Sequence, residues 1–166
     1  MTTKIYSLLI ALLLGLVPVF ASAQTENVSV SVSATVLGEI EITTINTMDF
    51  RNIGGESSIV NINPIQSARA GKMVGGGQPE AQFRIDYVQE RELNNIDGDG
   101  TVFFNYSVAV NRIDEQDTAE LIQPDYRDFE FNEDGEFFIW IGGTIDLSLA
   151  TPGTYEGEFS IEIEYI

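Results

Sequence analysis

From residue 28 onward, apolar and polar residues alternate with a period of two, the mark of strands with one covered face. Val28, Val30, Val32, Ala34 and Val36 alternate with Ser29, Ser31, Ser33 and Thr35. That pattern predicts a strand with one apolar face and one hydroxyl face. Gly38 breaks it, and Glu39 to Thr44 starts a second strand through Ile40 and Ile42. Phe50 is expected to anchor a short strand before a Gly54-Gly55 turn, and Ser57 to Asn63 forms another strand, followed by Pro64. Ser67 to Gly77 is glycine-rich and reads as a short strand and a loop. Ala81 to Val88 carries Phe83, Ile85 and Tyr87 on one side, and a polar stretch, Gln89 to Gly100, follows. Thr101 to Arg112 is a strand with Phe103, Tyr106, Val108 and Val110. Asp114 to Asp128 is acidic and irregular, with one helical turn at most over Thr118 to Ile122.

The last forty residues carry the clearest pattern. Phe129 to Phe131, a turn at Asn132-Glu133-Asp134-Gly135, and Glu136 to Ile141 read as a hairpin. Gly142-Gly143 permits a bulge or a close backbone contact, and Thr144 to Leu149 continues the strand. Thr151-Pro152-Gly153 turns the chain into a final strand. There Tyr155, Phe159, Ile161, Ile163 and Tyr165 face one way, and Glu156, Glu158, Ser160, Glu162 and Glu164 face the other. One side is core and the other water, as in an antiparallel sheet covered on one face. About eight or nine short strands with turn signals between them, and no amphipathic helix, predict an all-β antiparallel sandwich.

Ahead of this pattern, Lys4 and the apolar run Tyr6 to Phe20 lead to Ala21-Ser22-Ala23. The run is too short for a membrane span, and its small-residue ending predicts a signal peptide over residues 1–23, cleaved after Ala23. Residues 24–166 then form a single domain, with 24–37 as its N-terminal strand. No later segment reaches about 18 consecutive apolar residues, so no membrane span is expected after cleavage.

Composition narrows the function classes. Eight basic against 26 acidic side chains give a formal charge of −18. Such a surface repels nucleic acid and anionic lipid. The chain has neither Cys nor His. Stability is therefore expected from packing and sheet pairing, without disulfides. There is also no thiol nucleophile, no His general base and no His-bearing zinc site. Gly75-Gly76-Gly77 opens no helix and has no following Lys-Ser or Lys-Thr, so it is not a phosphate loop. Carboxylate pairs occur by number alone in so acidic a chain, and a non-enzymatic role is the expectation.

The run Asp134-Gly135-Glu136-Phe137-Phe138-Ile139-Trp140-Ile141-Gly142-Gly143-Thr144-Ile145, then Pro152-Gly153-Thr154-Tyr155-Glu156-Gly157-Glu158-Phe159, then a last strand ending Glu164-Tyr165, resembles the bacterial family called domain of unknown function 4402. Ala34-Thr35-Val36, Met48-Asp49-Phe50 and Gly75-Gly76-Gly77 before Ala81-Gln82-Phe83 are compatible with it, so the resemblance spans roughly Val28 to Tyr165. That family in turn looks like the spore-coat-U and chaperone–usher pilin domains. The resemblance implies an immunoglobulin-like antiparallel β-sandwich, exported to the periplasm and then to a fimbrium, the cell surface or the medium. It implies assembly by strand donation between copies or related subunits, with a periplasmic chaperone and an usher as partners. The penultimate Tyr165 matches a habit of those pilins.

Each candidate site has two readings. Val28, Val30, Val32, Ala34 and Val36 have the alternation that strand donation needs, and equally that of the protein's own first strand. Asn95, Asp97 and Asp99, with Gly98 and Gly100, offer alternating oxygens suited to a weak calcium site, or an ordinary turn. No other cofactor is expected. Trp140 reads as a core residue or a sugar-stacking platform, and the acidic Asp114 to Asp128 segment as a solvated loop or a binding surface. Two functions follow. One is a structural or adhesive, fimbria-like subunit; the other is a monomeric secreted module that binds calcium, glycan or protein.

Overall fold

The computed structural model describes residues 27–37, 40–50, 58–123 and 126–166, with residues 27 and 31–37 described through their backbone. The expected signal peptide, its cleavage after Ala23, the break at Gly38 and the Gly54-Gly55 turn lie outside the described residues.

The described chain is almost wholly β. Its strands are β1 (Asn27–Leu37), β2 (Glu41–Asn46), β3 (Ile59–Ile62), β4 (Gly71–Gly76), β5 (Gln82–Tyr87), β6 (Glu90–Asn95), β7 (Thr101–Asn111), β8 (Glu120–Leu121), β9 (Asp128–Glu130), β10 (Glu136–Asp146) and β11 (Thr154–Tyr165). One layer runs β2-β4-β10-β7, with β3 continuing β4's edge of β10 and β6 and β8 on the far edge of β7. The other layer runs β1-β11-β5-β9. Strand β6 pairs with both β7 and β11, so one continuous ladder folds into two facing layers.

The layers meet through alternate side chains, as the two-residue period dictates. Phe137, Ile139 and Ile141 of β10, Phe104 and Val108 of β7, Phe83 and Ile85 of β5, and Tyr155, Phe159, Ile161 and Ile163 of β11 are all buried. Ring pairs cross the gap: Phe83 to Phe137 at 4.2 Å and Tyr106 to Phe159 at 4.5 Å between centroids. Fully burying one such side chain contributes about 1.5–3 kcal/mol. Glycines make room for these rings. A Cβ on Gly75 would strike the Phe137 ring, and one on Gly77 would strike Phe131 and the Tyr165 hydroxyl. Gly142 and Gly143 sit where β10 changes partner from β4 to β3, and a Cβ there would hit the Ile62 and Asn105 carbonyls.

The all-β sandwich expected from the alternation is the fold observed, with five local corrections. First, β1 pairs with β11 in parallel, whereas every other ladder is antiparallel. Second, Phe50 is a core residue, edge-to-face with Phe104 at 5.5 Å, but 47–50 form no strand. Third, the polar stretch after Val88 contains β6. Fourth, Phe104 is the inward aromatic of β7, and Phe103 is exposed. Fifth, Phe129 to Phe131 and Glu136 to Ile141 do not form a paired hairpin, because β9 pairs with β5 in the opposite layer. The Asn132 side chain accepts the N–H groups of Asp134 and Glu136, and this turn carries the chain from one layer to the other.

Candidate functional site

The first strand lies along the last one. Its register runs unbroken from Asn27 opposite Thr154 to Leu37 opposite Glu164, which places Val28, Val30, Val32, Ala34 and Val36 opposite Tyr155, Gly157, Phe159, Ile161 and Ile163. Val28 and Val30 are half-buried against the core and Ser29 is exposed, as the alternation requires. The side chains of Val32, Ala34 and Val36 lie outside the described residues. Among the described residues, β1 has no strand on its other side. The opposite edge of β11 is held by β6 at Tyr155–Glu156 and by β5 from Ile161.

Tyr165 fastens the end of β11. Its hydroxyl accepts the Gln78 N–H at 2.8 Å, and its ring lies 5.8 Å from that of Phe131. Both contacts need the bare backbone of Gly77. The residue sits just past the end of the β1–β11 ladder.

The Asn95–Asp99 loop is bound to itself and to its neighbour. The Asn95 carboxamide oxygen accepts the Asp97 N–H (2.9 Å), and its amide donates to the Thr151 hydroxyl (3.1 Å). Asp97 accepts the Thr154 N–H (2.8 Å), and the Thr151 hydroxyl donates to the Asp99 carbonyl (2.9 Å). These bonds engage Asn95 Oδ1, Asp97 Oδ2 and the Asp99 carbonyl, and tie the β6–β7 turn to the start of β11. Among the described residues no group of three or more acidic, His or Cys side chains is arranged to hold a metal.

Trp140 is buried, but on the outer face of its layer, between inward-facing Ile139 and Ile141. It stands between Lys72 and Ala109 in the ladder. The Lys72 ammonium lies 5.8 Å from the Trp140 ring and 5.6 Å from Phe138, and is salt-bridged to Asp114. Gln116 donates to the Pro64 and Ser67 carbonyls (2.8 and 2.9 Å). Part of the acidic segment, through a short 3-10 turn (Gln116–Thr118) and β8, is thus strapped beside this outer face.

One constellation was not foreseen. Arg84 pairs with Asp128, Arg112 with Glu130, Arg127 with Asp86 and Lys72 with Asp114. Among the described residues half-buried Arg91 has no such partner, and its Nε is one of two buried side-chain polar atoms there without a hydrogen bond. The other is the Tyr106 hydroxyl. Burial holds that phenol well above its ordinary range, against a smaller opposing pull from Arg91. The one sequence signal was a lone Arg in a stretch whose only buried apolar residue is Leu93.

No described helix is long and apolar enough to cross a membrane. Comparison with family models, curated proteins and solved structures finds no match to this chain.

Proposed function

We propose that this chain is an exported, non-enzymatic structural or adhesive subunit, fimbria-like, that assembles by exchanging its first strand with another copy or a related subunit. The observation that carries this reading is the lone parallel ladder between the first and last strands, with β1 held on one side. Among the described residues no other strand pairing depends on β1, so it can leave without breaking another described ladder. Its departure opens the β11 edge, with unpaired N–H and C=O groups above an apolar groove, and such an edge recruits a strand. Parallel pairs are slightly less stable per residue than antiparallel ones. A strand entering from a second copy in the opposite direction converts this ladder to the antiparallel kind. Before assembly, a periplasmic chaperone covers the same edge, and an usher fits the export route.

The test is size-exclusion chromatography with cross-linking of the mature chain and of a chain lacking residues 24–36. The full chain forms concentration-dependent multimers. The shortened one is a folded or chaperone-dependent monomer that takes up a synthetic peptide of residues 24–37. Two stable monomers, neither binding the peptide, sink the reading. The alternative, a monomeric surface-binding module, is favoured by a different observation, the unpaired polar atoms at Arg91 and Tyr106.

A further inference from the structure

The two layers are joined along only part of one edge of β7. Strand β10 pairs with β7 from Phe104 to Asn111, so β6 and β8 share the other edge. β6, opposite Thr101 to Asn105, carries that edge into the second layer through β11. Past the β8 pairing at Ala109 and Val110, no strand joins β7 to the second layer among the described residues. β9 has the matching gap. The Ile85 N–H donates to the Arg127 carbonyl and the Phe131 N–H to the Ala81 carbonyl. By alternation, the N–H and C=O groups of Asp128 and Glu130 turn away from β5, toward a side on which no described strand pairs.

At this seam lies a cavity of about 460 Å³, lined by Asn111 and Arg112 of β7 and by Asp128, Phe129 and Glu130 of β9. Most of its charges are answered from within. Arg112 lies 3.1 Å from Glu130 and donates to the Phe131 carbonyl, and Asp128 is held by Arg84. Asn111 is engaged by the Glu115 carbonyl, the Thr118 hydroxyl and the Ile113 N–H. Three lining side chains make no hydrogen bond or ion pair among the described residues: the Gln82 carboxamide, the Glu120 carboxylate and the Tyr126 hydroxyl. Together they offer donors and acceptors. The Tyr126 ring meets Phe129 edge-to-face at 5.6 Å and is 53% exposed, so its surface stays open, whereas the Trp140 ring is buried.

This combination selects by exclusion. An anion meets a guanidinium already paired and a free carboxylate, in a chain of net charge −18. A metal ion finds one free carboxylate, and no group of three acidic side chains is arranged to hold one among the described residues. A strand from another chain finds in β9 an edge of three residues, two of them acidic, and edges so short and charged resist strand addition. We propose that the seam binds a neutral sugar. Its C–H face lies on the Tyr126 ring, and its hydroxyls bond Gln82, Glu120 and the open backbone groups of β9. The site gives the surface-binding reading a place and a ligand class. It stands apart from strand exchange, because none of these residues belongs to β1 or pairs with it.

Saturation-transfer NMR and calorimetric titration of the mature chain test the site, with glucose, galactose, mannose and N-acetylglucosamine, and with glucuronate as the anionic counterpart. At least one neutral sugar binds, and glucuronate binds more weakly than the best of them. Tyr126→Ala removes the stacking ring and weakens binding about tenfold, and Tyr126→Phe restores most of it. Gln82→Ala and Glu120→Ala each weaken binding about threefold to tenfold, the loss of one hydrogen bond. All three residues are exposed, so the variants keep the parent melting temperature and the parent multimers, which separates this site from strand exchange. Binding by none of the four neutral sugars overturns the proposal. So does sugar binding that Tyr126→Ala leaves undiminished, or glucuronate binding as tight as that of the best neutral sugar.

Discussion

Strands β10 and β1 are each 11 residues long and occupy opposite positions in the fold. β10 is paired on both edges, to β4 and β3 on one and to β7 on the other, and residues 137–143 are buried on both faces. β1 is paired on one edge, in parallel, and its described side chains are half-buried or exposed. Both sequences look like good strands. The difference is in what surrounds them. Stability is concentrated where a strand is enclosed, and the capacity to exchange where it is attached by a single ladder. The molecule separates an enclosed centre from an edge strand held by one ladder, the edge that the proposed assembly would exchange.

The sharpest test of the fixed centre is Gly143→Ala. Gly143 has φ near 153°, and its Cβ would meet the Asn105 carbonyl and the Phe104 ring closer than real Cβ contacts allow. Overpacking costs about 1–3 kcal/mol and backbone strain about 1–3 more. Chemical denaturation should therefore show a loss of roughly 2–6 kcal/mol, a large share of the about 5–15 kcal/mol that holds a domain folded. A loss under about 1 kcal/mol would mean that β10 is not the rigid element described.

Much of this centre was legible in the sequence. The alternation in β11 and in most of β7, and the glycine pairs, follow from period and backbone chemistry. What was not legible depended on partners. Phe103 and Phe104 are adjacent, so alternation cannot choose between them; the pairing of Phe104 with Ile145 does. β6 carries one buried apolar residue, Leu93, because its other inward position is Arg91, so its pattern reads as loop. Phe129 and Phe131 look like half a hairpin but serve the Phe83 cluster of the other layer. The candidate site divides in the same way. The valine-serine strand was readable from spacing, whereas its parallel direction and the inward placing of Arg91 and Tyr106 are properties of the assembled layers.

A second test stays within the core. Tyr106 is kept neutral by burial, its pKa raised above the ordinary value of about 10. Below pH 10, folded and unfolded chains both hold the proton, and Tyr106→Phe is neutral or slightly stabilising. Above it the unfolded chain loses the proton first. Wild-type stability then falls by up to about 1.4 kcal/mol per pH unit, and the Phe variant is spared this loss. Parallel alkaline melting curves for the two proteins would show that the phenol is not enclosed.

That edge strand is probed by Val30→Ala. Val30 is half-buried opposite Gly157. Losing part of one small side chain there costs about 1 kcal/mol or less. If β1 is exchangeable, the variant keeps nearly the parent melting temperature and loses multimers. A large melting shift with unchanged multimers would place β1 among the fixed strands and remove the contrast.

The smallest effect is expected at the other edge, where β9 meets β5 through the Arg84–Asp128 pair. Arg84 donates to both Asp128 oxygens at 2.7 and 3.1 Å. That bonding holds the Asp128 pKa below the ordinary carboxylate value and raises that of Arg84. A depressed carboxylate adds stability above its unfolded pKa and loses it as pH falls through the folded one. Asp128→Asn should therefore change nothing resolvable at neutral pH in high salt, because the pair is exposed and screened. It should flatten only the acid limb of the stability profile at low salt. An acid limb identical in both proteins would mean that β9 is held by Phe129 packing on Phe83 rather than by charge. The second edge would then depend, like the first, on apolar contact and backbone pairing.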